Sequence, residues 1–216
     1  MNLFETVFNR VSIYGMLFVS IDSVLEYPTL DALKTSNTSL YRQWLQLQAS
    51  LKADAKLPYE ESLPYEVTAI KYPEYCKIVA ISYGNIAMVN GEIKRSFRKI
   101  ANLNEELVIE EFIDVLNEYP EDMNFPSFCG FGLIKHGFPL FIKRFLINRG
   151  KFSKEILLPA PIKNLMSSKP WDGDLVIDVD DVWKFNGNNN SVSLSYISDY
   201  LNFKKTVEMM NDTEPE

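Results

Sequence analysis

The chain has 216 residues, 46% of them apolar and 24% charged, a balance that excludes a disordered polymer and suits one large domain. Its 22 Lys and Arg against 29 Asp and Glu give a formal charge of -7, which excludes a general nucleic-acid coating protein, because phosphate binding draws on clustered basic charge. The acid excess leaves a metal-dependent nuclease open. Two cysteines, Cys76 and Cys129, are too few for a disulfide framework or a Cys-based zinc site, and the single His136 excludes His-rich metal centres. The opening MNLFETVFNRV carries Glu5 where a secretory signal needs a basic region and an apolar stretch. The apolar runs fall well short of the roughly 20 residues that cross a bilayer. A reducing, cytoplasmic-type compartment with no membrane association is the expectation.

Residues 1–12 read as an N-terminal lead. The run 13–21, IYGMLFVSI, predicts a buried strand ending at Asp22-Ser23. Leu40, Trp44, Leu47 and Leu51 recur at helical spacing and predict a helix over 39–55. Pro58, Pro64 and Pro73 break up the next segment, leaving room for a short helix within 59–70. Residues 77–83 predict a second buried strand. Asn90-Gly91 predicts a tight turn between strands 86–89 and 92–97, since both residues tolerate positive φ. Asn104 is placed to cap a helix over 105–118, with Leu107, Phe112, Val115 and Leu116 as its apolar face. A short strand over 125–131 and a helix over 138–148 follow, with Phe138, Phe141, Ile142, Phe145 and Leu146 facing the core. Residues 150–173, with three prolines, read as irregular. A last strand over 174–178, a helical turn over 180–185, an Asn-rich loop and a helix from 194 to 201 complete the domain at about 206. Residues 207–216 form an acidic tail with too little apolar surface to fold alone. Strands alternating with helices around an antiparallel hairpin predict an α/β domain with a mixed sheet and flanking helices.

Several blocks carry a resemblance. Phe18-Val-Ser-Ile-Asp-Ser-Val24 with Tyr27-Pro28, residues 72–82 (YPEYCKIVAIS), Phe128-Cys-Gly with Phe138-Pro139, Arg144-Phe-Leu-Ile-Asn148, Lys169-Pro-Trp171, Ile177-Asp178 and residues 182–185 (VWKF) together resemble, in order, the predicted 3′–5′ exonucleases related to the proofreading domain of B-family DNA polymerases. These are DnaQ-like exonucleases, so the resemblance implies an RNase H-like fold and two-metal phosphodiester hydrolysis with Mg²⁺ or Mn²⁺ held by convergent carboxylates. The family carries D-x-E on its first strand, a second Asp after an N-x-x-x-[FY] block, and an Asp on a late helix. Here Ser20-Ile21-Asp22 stands for D-x-E, so Asp22 alone remains. Gly137 stands where the second motif has its Asp. The resemblance therefore implies a degenerate exonuclease with no metal or other cofactor, Ser20, Asp22 and Gly137 being relict positions. Its alternative is an active metal-dependent 3′–5′ DNA exonuclease with rearranged ligands.

Between Met123 and Lys154 the chain has no acid but carries Lys135, Lys143, Arg144, Arg149, Lys151 and Lys154. This stripe is the candidate surface for a nucleic-acid backbone or an acidic protein partner, with Lys143 and Arg144 expected on the solvent side of their helix. The acids Asp172, Asp174, Asp178, Asp180 and Asp181 read as a solvated face, since their spacing does not fit an EF-hand Ca²⁺ loop. His136 reads as a loop histidine without a nucleophile, and the three tryptophans as core. The resulting expectation is a structural or protein-binding component that binds a partner protein or a second copy of itself. It would bind nucleic acid weakly or not at all, and act in the cytoplasm, in a phage particle or in a replication assembly.

Overall fold

A computed structural model describes residues 13–55, 64–119, 127–167, 176–184 and 193–200. The N-terminal lead, the tail, Trp171, Asp172 and Asp174 lie outside those residues. The expected first strand is β1 (Met16–Leu25), which continues through Asp22 instead of stopping there. Its partner β2 (Cys76–Val89) is one continuous strand where the sequence suggested two. Asn90 (φ 55°) and Gly91 (φ 82°) turn it into β3 (Glu92–Ala101), the twist that a two-residue hairpin requires. β4 (Ser127–Gly130) and β5 (Val176–Asp178) complete a five-stranded sheet in the order β3-β2-β1-β4-β5. β1 and β3 run antiparallel to β2, whereas β4 and β5 continue parallel to β1. The chain is thus an α/β protein with a mixed sheet.

Between β1 and β2 stand α1 (Leu30–Ser36), α2 (Thr38–Ala55) and the short α3 (Tyr65–Thr68). They close a small core of their own around Leu33, Trp44, Tyr65, Ala69 and Tyr75. Trp44 meets Tyr65 and Tyr75 edge to face, at 5.1 and 5.5 Å between ring centres. Burial pushes both tyrosine hydroxyls up to about 12.

The main core lies on one face of the sheet. There α4 (Glu105–Asn117) and α5 (Phe138–Asn148) pack Val108, Ile109, Phe112, Ile113, Phe141 and Phe145 against Leu17, Val19, Ile78 and Ile81. Leu107 of α4 is exposed instead of joining the apolar face, and Glu105 is turned inward, where its carboxylate accepts the Ile78 N–H at 2.7 Å. Asn104 makes no side-chain cap; its own N–H bonds to Asn102 Oδ1 at 2.9 Å. The segment expected to be irregular holds α6 (Ala160–Ser167). Pro161 falls in its first turn, where a missing N–H costs the helix nothing. On the opposite face, α7 (Val179–Lys184) brings Val179 and Val182 over Met16, Cys129 and Ile177. Trp183 of α7 meets Tyr200 of α8 (Leu194–Tyr200) edge-on at 6.0 Å. Among the described residues, no helix is long and apolar enough to cross a membrane.

Candidate functional site

Open α/β sheets offer ligands the crevice beyond the carboxyl ends of their parallel strands. In this sheet that region joins the ends of β1, β4 and β5, and it holds all three positions singled out by the resemblance. Ser20 lies opposite Ser82 and Asp22 opposite Ala80 in the β1–β2 ladder, with the register shifting just after Asp22. Ser20 is exposed and Asp22 half-buried. The Lys99 ammonium from β3 stands 3.4 Å from Asp22 Oδ2.

Gly137 closes a π-helical turn, Leu133–Gly137, that leads into α5. A Cβ on Gly137 would lie 3.1 Å from Leu133 Cδ2 and 3.6 Å from Ile21 Cδ1. Along a strand Ile21 points away from the face that Ser20 and Asp22 share. Gly137 therefore borders the helix-covered face while the two β1 positions look out from the other. The three relict positions do not converge on one point.

The acidic run is not the solvated face expected of it. Asp178, buried at the end of β5, accepts the N–H groups of Gly132 (2.8 Å), Ile134 (2.9 Å) and Asp180 (3.1 Å). That carboxylate pins the glycine turn after β4, whose Gly132 has φ 66°. Asp180 forms a buried ion pair with Lys184 one helical turn on, and Asp181 pairs with Lys135 at 2.6 Å. Among the described residues, no three His, Cys, Asp or Glu side chains are grouped so that they could hold a metal ion.

His136 has a partner 113 positions away, too distant for any local pattern to reveal: its Nε2 lies 3.3 Å from Ser23 Oγ. Beyond Ser23 is Cys76, whose thiol burial pushes up to about 11, the Ser23 hydroxyl acting in the opposite sense. Burial lowers the His136 pKa, which favours the neutral imidazole. Because the folded value lies below the unfolded one (about 6.5), the unfolded chain takes up the proton first as pH falls. Stability is then expected to hold above about pH 6.5 and to decline below it. In urea titrations between about pH 5 and 8, His136→Gln should lack that part of the decline. An unchanged slope in the variant would assign the loss to other groups.

The basic stripe is largely neutralised within the molecule. Lys135 is bound to Asp181, Lys143 to Glu74, Lys151 to Glu106 (3.5 Å) and Lys154 to Asp114 (2.8 Å). Burial, the largest single influence, would raise the Glu74 carboxyl, but the Lys143 hydrogen bond, a backbone hydrogen bond and the Lys143 charge together outweigh it and hold the group below its ordinary value. Arg144 is a correction to the expected solvent-facing pair. It is 3% exposed, with Nη1 on Glu26 at 2.5 Å and Nη2 on Glu105 at 2.6 Å. A buried guanidinium already saturated by carboxylates is a packing element, not a docking group. Arg149 stays exposed at the end of α5.

A second group of cations lies elsewhere. Lys94, Arg95, Arg98 and Lys99 are all exposed on β3, and of these only Lys99 has an acidic partner among the described residues. No local pattern singles them out, because they follow the hairpin turn and look like an ordinary polar strand. A cavity lined by Tyr83, Asn85, Ser96, Arg98, Glu118 and Tyr119 opens beside them, nearer the start of β1 than the relict positions. Neither a protein-family model, nor a curated protein, nor a solved structure matches this chain.

Proposed function

We propose that this protein is a DnaQ-like, RNase H-like exonuclease domain that has lost catalysis and works as a structural or protein-binding component. An antiparallel hairpin beside parallel crossovers, the sheet arrangement expected of such a domain, supports the fold half of this reading. The observation that carries the functional half is the Lys99 ammonium beside Asp22. Two dications a few ångströms apart need several carboxylates to offset their mutual repulsion. Here the one matched carboxylate faces a lysine, Ser20 offers a hydroxyl, and Gly137 borders the other face. No cofactor belongs to this reading, and its setting is the cytoplasm, a phage particle or a replication assembly. A partner protein or a second copy is the expected contact, with weak or no nucleic-acid binding.

Titration calorimetry with Mn²⁺ on the wild-type chain is expected to give no site tighter than about millimolar. A fluorescent single-stranded DNA incubated with the same metal should stay uncut. Two ions bound at micromolar affinity, together with metal-dependent shortening from the 3′ end, would replace this reading with an active exonuclease of rearranged ligands.

A further inference from the structure

Among the described residues, β3 ends the sheet and only its β2 side is paired. No described residue pairs with the backbone N–H and C=O groups of its outer edge, along a ten-residue strand. Nine of those ten residues are exposed, Ile100 being the exception. Edges this long are ordinarily shielded, because they template pairing with another chain. Here the strand also exposes large apolar groups, Ile93 at 58% and Phe97 at 49%.

We infer that the outer edge of β3 is a docking edge for an acidic, extended segment of a partner protein, which adds to the sheet as a further strand. This rests on the protein-binding reading above and names the surface and the chemistry of the contact. Charge selects the partner: the strand carries Lys94, Arg95 and Arg98, with Lys99 already beside Asp22, against Glu92 alone. A second copy aligned edge to edge would set cations against cations, which is destabilising in directly opposed pairs. The placement of the cations argues for a strand over a nucleic acid. Side chains alternate along β3, so Arg95 and Lys99 project from one face of the sheet and Lys94 and Arg98 from the other. A phosphate backbone wants its cations along one groove. A peptide lying in the plane of the sheet passes between both rows and places its own alternating acids next to each. The backbone row supplies affinity, and Ile93 and Phe97 supply apolar contact.

The test is fluorescence anisotropy on the full chain with a labelled peptide of about ten residues built from Glu, Val and Thr. Binding is expected at tens of micromolar and should weaken at least about tenfold in Arg95→Glu/Arg98→Glu. Both substituted residues are exposed, so circular dichroism should show an unchanged fold. If the variant nevertheless fails to fold, amide exchange of the wild type decides, because bound peptide must slow exchange along β3. An otherwise identical peptide with N-methylated amides on its facing edge should not bind. Equal binding by the methylated peptide, no binding up to about millimolar, or unprotected β3 amides would overturn the inference. So would a single-stranded oligonucleotide that binds in place of the peptide and is lost in the same variant, or a dimer of the wild type that occupies β3. Hydrolysis of DNA by the wild type would overturn the loss of catalysis and leave a positive peptide titration standing. A failed titration removes the edge alone.

Discussion

Replacing Arg144 with alanine is expected to destabilise the protein by about 3–5 kcal/mol, the range for removing one partner from a buried ion pair. The guanidinium donates from Nε to both Glu105 oxygens at 2.9 Å, from Nη2 to Glu105 Oε2 at 2.6 Å, and from Nη1 to Glu26 at 2.5 Å. Burial by itself would weaken its hold on the proton, but the two carboxylates outweigh that and raise its pKa. Without it, Glu105 keeps the Ile78 N–H and the Asn148 Nδ2 at 2.8 Å, both neutral, and a buried carboxylate is left without a counter-charge. Urea unfolding at neutral pH measures the loss. Arg144→Met with Glu105→Gln should recover much of it, because removing both charges also removes their desolvation cost. A loss under about 1 kcal/mol in the single variant would show that water reaches Glu105. Lys143→Glu, at a half-exposed pair with Glu74, should cost no more than about 1 kcal/mol.

Gly137→Asp is the second large effect. The new Cβ would press on Leu133 Cδ2 at 3.1 Å and point toward Ile21, carrying a carboxylate into a buried apolar corner. A loss of about 3 kcal/mol or more follows from an uncompensated buried charge. Pairing it with Ser20→Asp gains nothing toward a metal, since the two carboxylates would start from opposite faces of β1. Urea unfolding and Mn²⁺ calorimetry of the double variant check both halves. Wild-type stability together with micromolar Mn²⁺ binding would show that Gly137 and Ser20 do share a pocket.

What sequence reading recovered was whatever local chemistry dictates. Asn90-Gly91 marked the hairpin because its two φ values are a property of those residues. The spacing of Leu40, Trp44 and Leu47 marked α2, and Trp44 is fully buried there as expected. The seven residues of α1 span too few turns to show a period, and α6 was hidden by prolines that its first turn tolerates. The site was harder to read because its defining contacts are distant in sequence. Arg144 looks like a surface residue of an amphipathic helix until Glu105 and Glu26, 39 and 118 positions away, are folded against it. The same applies to Lys99 beside Asp22 and to the backbone groups that hold Asp178. Relict positions can be counted from sequence; the face of the sheet each one occupies cannot.

The central place of β1 also sets a timetable for synthesis. Its first neighbour, β2, follows only after the α1–α3 insertion, and its second comes later still, since Phe18 pairs with Cys129 about 110 residues downstream. At roughly 5–20 residues per second, a ribosome takes on the order of 10 s to cover that interval. Throughout it, an apolar strand has emerged with at least one edge unmatched, the condition in which nascent chains aggregate or recruit chaperones. β2 and β3, joined by two residues, can close on each other within microseconds. The nascent protein can therefore complete its β2–β3 hairpin well before the parallel pairing of β1 with β4, whose long sequence separation carries the larger loop-closure cost.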